Sequence, residues 1–123
     1  MADSANIEGI WQIESAELGG EKMPELVAHK IDVELAAGAY TVRFDGEIAD
    51  RGTYDLAPHP AGQAITLNGL VGTNAGRTIP AICQIVGGQL HVCYGLDGIV
   101  PAAFESKSGT AHFLARYRRK VTK

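Results

Sequence analysis

A chain of 123 residues, 46% hydrophobic and 20% charged, can bury one core but not two, so residues 1–123 read as one domain. A formal net charge of -3, from 14 acidic against 11 basic residues, sets up no field that gathers a polyanion, which argues against nucleic acid as a partner. No apolar run approaches the roughly 20 residues of a membrane-spanning helix, and MADSANIEG lacks the basic start and apolar stretch of a secretory signal. The sequence as it stands therefore predicts a cytoplasmic protein with no membrane span.

Fifteen glycines are nearly twice the ordinary share of about 7%. Turn signals recur along the chain at Gly19-Gly20, Asp45-Gly46, His59-Pro60, Asn68-Gly69, Asn74-Ala75-Gly76, Gly87-Gly88, Asp97-Gly98 and Ser108-Gly109. Most lie near the roughly 8 to 12 residues apart that short antiparallel strands require. In the first segment, IWQIES, Trp11 and Ile13 share one face and Gln12 and Glu14 the other. MPELVAHK then breaks the two-residue period: Pro24 stands at a helix start, Glu25 follows, and Leu26, Val27 and His29 fall within a turn or two. A short helix is expected there, either covering one mouth of a barrel or plugging the core as a crossover.

The remaining segments are KIDVEL, AYTVRF, RGTYDL, QAITL, PAICQIV, QLHVCYG and AHFLARY. In AYTVRF, Tyr40, Val42 and Phe44 alternate with Thr41 and Arg43. Eight antiparallel strands in a meander leave two raw edges unless the sheet closes, so the expected fold is all-β, an eight-stranded up-and-down barrel with one short helix after the first strand. A barrel of this size is either filled by side chains or admits one small ligand. In the last strand, either Phe113, Ala115 and Tyr117 face inward, or His112, Leu114, Arg116 and Arg118 do. The first arrangement costs less, because a buried unpaired Arg is destabilising by several kcal/mol; the second would favour an anionic ligand.

The chemistry-bearing residues form no familiar catalytic set. A two-residue turn at Gly87-Gly88 pairs Ile85 with Leu90, Cys83 with Val92 and Ile82 with Cys93, placing the two thiols on opposite faces, whereas a bulged turn would bring them together. His29, His59, His91 and His112 lie in four different segments, with no closely spaced Cys/His set to hold a metal. Ser15, Ser106 and Ser108 lack a nucleophile elbow, and Cys83 could meet His91 or His112 only through strand order. Asp45 with Glu47, and Asp50 with Asp55, stand near turns and read as solvated turn carboxylates. The basic stretch RYRRK at 116–120 reads as a solvated chain end.

Several motifs in order carry a family resemblance. GIWQIESAE at 9–17, GTYDL at 52–56, ICQIVGGQLHVCYG at 82–95, PAAF at 101–104 and an Arg cluster at the end of the last strand resemble an uncharacterised bacterial lipocalin-like (calycin-type) family expanded in planctomycetes. The resemblance covers about residues 7–119. Val100 stands where that family commonly has Arg before Pro, so no anion-binding role transfers to this position. The resemblance implies that Gly9 and Trp11 open the first strand and that Arg118 or, as the closer positional match, Arg119 seats on the indole. A guanidinium over an indole face contributes roughly 0.5 to 2 kcal/mol, which would tie the first strand to the last. The Arg-x-Tyr pair with which fatty-acid-binding relatives hold a carboxylate is absent, because Tyr117 points away from Arg116 and Arg118.

The expected barrel lining comprises Trp11, Ile13, Tyr40, Val42, Phe44, Tyr54, Ile65, Leu67, Cys83, Ile85, Leu90, Val92, Phe104, Phe113 and Tyr117. Tyrosines among apolar walls are the usual composition of a small-molecule site. The first reading is a non-enzymatic binder of a small apolar or amphipathic molecule, without catalytic residues, metal or cofactor. The second is a filled barrel acting as an interaction module or homodimer. The third is an enzyme using the cavity.

Overall fold

The computed structural model describes residues 7–60 and 62–120. Its elements in chain order are β1 (Gly9–Leu18), β2 (Glu21–Lys22), α1 (Glu25–Ala28), β3 (Ile31–Ala36), β4 (Ala39–Phe44), β5 (Glu47–His59), β6 (Gly62–Gly72), β7 (Thr78–Val86), β8 (Gln89–Gly95) and β9 (His112–Arg119). Every neighbouring pair of strands is antiparallel, and β1 also pairs with β9. Among the described residues, eight strands, β1 and β3 to β9, thus close into an up-and-down barrel, with β2 a two-residue ladder on the far end of β1. Closure removes the two edges that an open meander would leave unpaired. Among the described residues, no helix is long and apolar enough to cross a membrane.

Alternation places the apolar face inward. Val33 and Leu35 of β3, Tyr40 of β4, Ile65 and Leu67 of β6, Leu90 and Val92 of β8, and Ala115 and Tyr117 of β9 all join one buried core. In β1 the register against β9 slips between Ile13 and Ser15, which admits one extra residue and moves the inward phase from Trp11 and Ile13 to Ala16. The last strand turns Phe113, Ala115 and Tyr117 inward, the arrangement that keeps its arginines out of the core.

The strand ends define two mouths. One is formed by the β3–β4 turn at 37–38, the β5–β6 connection, the Gly87-Gly88 turn and the end of β9; the other by α1, the β4–β5 turn, the 73–77 loop and the long 96–111 connection. The helix lies at the second mouth, where Ala28 is fully buried and Leu26 stands out at 82% exposure. Gln12 anchors the helix end by donating from Nε2 to the His29 carbonyl at 2.5 Å.

Two expectations about the path of the chain fail. Asn68-Gly69 is not a turn: β6 runs through it to Gly72. Gly69 is needed there for close approach, because a Cβ at that position would stand 1.9 Å from the Asn74 carbonyl oxygen as the 73–77 loop folds back. Phe104 does not line the barrel. The 96–111 connection crosses the outer wall, and Phe104 packs outside on Ile82, Cys93 and Leu114. That loop is pinned by Ser106, whose Oγ accepts from the Gly20 amide at 3.0 Å and donates to the His112 carbonyl at 2.9 Å.

The β7–β8 hairpin has the two-residue register, with Cys83 opposite Val92 and Ile82 opposite Cys93. Cys83 therefore faces the interior and Cys93 the outer layer under the loop, and both are free and buried.

Candidate functional site

The first mouth is sealed by Trp11 and Arg119. Trp11 is fully buried, its Nε1 donates to the Ile7 carbonyl at 2.8 Å, and the Arg119 guanidinium lies 4.3 Å from the ring centroid. Arg119 Nη1 also donates to the Glu8 carbonyl at 2.8 Å, so one side chain covers the indole and fastens the segment before β1. Gly9, at φ +133, is the neighbour that permits this: a Cβ there would meet Arg119 Nη1 at 2.7 Å. Arg118 takes no part in the stack and reaches Gln12 on the outside instead. Tyr54 is buried in this floor beside the 37–38 turn, where its amide donates to the Gly38 carbonyl.

Above the floor is a cavity of about 210 Å³. Its walls are chiefly aliphatic, from Ile7, Ile13 and Leu35 near the floor through Val33, Ile65, Leu67, Ile79, Leu90 and Val92 to Ile31 and Leu96 near the second mouth. Of the sequence-predicted lining, Ile13, Tyr40, Val42, Ile65, Leu67, Cys83, Leu90, Val92, Phe113 and Tyr117 line it. Trp11 and Tyr54 lie in the floor beneath, Ile85 packs against the core near the Gly87-Gly88 turn, and Phe44 sits 43% exposed at the end of β4 toward the second mouth.

Three polar features interrupt the apolar wall. The first is a hydroxyl pair, Tyr94 and Tyr117, whose oxygens are 2.7 Å apart; the Tyr94 ring also stacks on Phe113 at 5.7 Å. Burial pushes the Tyr117 phenol up to about 12 and that of Tyr94 well above its ordinary value. The second is Tyr40, also raised, first by burial and then by the nearby Asp50 charge. The third is Asp50 itself, which is buried on β5 rather than solvated. Its Oδ1 accepts from the Asn74 amide at 2.9 Å and its Oδ2 from Asn74 Nδ2 at 2.7 Å. Gly72 makes this contact possible, because a Cβ there would lie 2.1 Å from the Ala49 carbonyl oxygen where the loop turns back over β5.

Sequence reasoning missed Asp50, Asn74, Tyr94 and the β3 wall. Tyr94 had a usable signal, since alternation from Leu90 and Val92 puts it on the same face. Asp50 had none, because its partner comes from a loop 24 residues away.

The geometry disfavours nucleophilic chemistry at Cys83. Burial pushes its thiol up to about 11, so the reactive thiolate is scarce at neutral pH. His91 lies opposite Gln84 and Arg116 and is absent from the cavity wall, and His112 begins β9 opposite Gly95. Among the described residues no group of three or more His, Cys, Asp or Glu side chains converges as a metal site. No protein-family model, curated protein or solved structure matches this chain.

Proposed function

We propose that the barrel is a lipocalin-like binder that holds one small, largely apolar molecule in its cavity. The observation that carries this reading is the unfilled space of about 210 Å³ above a sealed floor, lined by aliphatic and aromatic side chains with a few convergent polar groups. The volume is below the roughly 300 to 1,000 Å³ of sites for drug-sized ligands, so the occupant is small. Access is from the second mouth, where the lining includes Ile31, Asn74 and Leu96.

The test is titration with phenylnaphthylamine, a neutral apolar dye that brightens when desolvated. Saturable brightening is expected with the native chain, and its loss in Val92→Phe, which fills the cavity from the wall. A folded Val92→Phe variant that binds the dye equally well would overturn the reading.

A second reading, an interaction module or homodimer, draws on the outward apolar side chains Ile48, Leu70 and Val71, exposed at 52%, 65% and 52% on neighbouring β5 and β6. It predicts a dimer by sedimentation that Val71→Lys converts to monomer.

A further inference from the structure

Among the described residues, the cavity wall carries one carboxylate side chain, Asp50, and contains no Lys, Arg or His. Fatty-acid sites need the opposite arrangement, a cation to meet the carboxylate. A carboxylate has about four lone-pair sites. Asn74 occupies one on each oxygen, and Asp50 has no ion pair among the described residues. Arg77 is the cation closest in the hydrogen-bond network, but its Nη1 donates to Asn74 Oδ1 at 3.1 Å and its Nη2 to the Leu96 carbonyl at 2.8 Å, with no bond to Asp50. Arg77 therefore fixes the Asn74 amide so that its NH₂ faces Asp50, and leaves the remaining acceptor capacity to whatever enters the cavity. The Tyr94 and Tyr117 hydroxyls share one hydrogen bond, which leaves a single neutral O–H donor between them and no cation.

We infer that the ligand is a small cationic amphiphile, an alkyl or arylalkyl amine whose ammonium group lies against Asp50 and whose apolar tail runs toward the Trp11 floor. This deepens the reading of the cavity as a binding site and rests on it. An ammonium supplies the donors and the charge that Asp50 lacks, in surroundings where apolar walls strengthen the attraction. A carboxylate of the same tail length would be buried beside a like charge with no counter-ion, the costliest arrangement available here.

Calorimetric titration with octylamine, octanol and octanoate tests the inference, since the three share a tail and differ only in the head. Octylamine is expected to bind best, with octanoate at least roughly tenfold weaker, equivalent to about 1.4 kcal/mol. In Asp50→Asn, octylamine is expected to fall to the level of octanol. Octanol or octanoate binding the native chain as tightly as octylamine would overturn the inference while leaving the cavity as a binding site. Failure of all three to bind would overturn both. The native ranking needs no variant, so it decides the matter even if Asp50→Asn does not fold.

Discussion

Replacing Tyr117 by Phe removes one oxygen and strands another. The Tyr94 hydroxyl, 2.7 Å from that oxygen, has no second partner among the described hydrogen bonds, and both rings are packed between apolar residues. Leaving a buried hydroxyl unpaired costs about 1–3 kcal/mol, whereas replacing both partners by apolar groups of the same shape is nearly neutral. Tyr94→Phe should cost about as much for the same reason, while keeping its stack on Phe113. The double variant, Tyr94→Phe with Tyr117→Phe, should recover most of the loss and fall within about 1 kcal/mol of the native chain. At roughly 4 °C per kcal/mol for a chain of this size, each single variant should melt about 4 to 12 °C lower and the double variant within about 4 °C. Urea unfolding followed by circular dichroism measures all four corners of the cycle. Additive losses, with a coupling below about 0.5 kcal/mol, would show that the two hydroxyls do not depend on each other and that the upper cavity is wet rather than dry.

Four further outcomes are expected. Arg119→Ala removes the guanidinium over the indole and its bond to the Glu8 carbonyl, so stability should fall by about 1–3 kcal/mol and Trp11 emission should shift to the red; unchanged emission would mean that the floor is sealed by something else. Gly72→Ala should cost about 2–4 kcal/mol, because φ is +100 and the new Cβ would meet a carbonyl oxygen, whereas Gly87→Ala, at φ +58 with open space around it, should cost only about 1–2 kcal/mol in chemical denaturation. Tyr40, Tyr54, Tyr94 and Tyr117 are all raised above the ordinary 10.0, so the folded chain holds protons that the unfolded chain releases. Their contribution to stability is complete below pH 10 and is lost as pH rises through the folded values, and phenolate absorbance should appear together with unfolding rather than before it. His91 runs the other way. Burial, and then Arg116, lower it from 6.5, so its contribution is present above that pH and declines below it, and His91→Gln should flatten the acid limb of the stability profile.

The barrel was legible in the sequence because it rests on alternation and local turn chemistry. Two glycines at 87 and 88 are enough to set the β7–β8 register and thereby to separate Cys83 from Cys93. The Trp11 and Arg119 contact followed from a motif at each chain end. Features that depend on loops returning to the sheet were not legible. Asn68-Gly69 has the composition of a turn, yet its glycine serves the approach of the Asn74 backbone. Phe104 has the composition of a lining residue, yet the excursion that carries it passes outside the wall. Asp50 has the composition of a solvated carboxylate until Asn74 is brought to it. In each case the deciding contact is with a segment whose path no local pattern encodes.

The segment between β8 and β9 begins at Leu96 on the lip of the chamber and midway clamps Phe104 to the exterior of the same wall. One continuous strap thus touches both the entrance and the outside surface, and Pro101 between them is wholly buried. A change made at the outer clamp, such as trimming Phe104, would therefore reach the entrance through the backbone without altering any residue that lines the chamber.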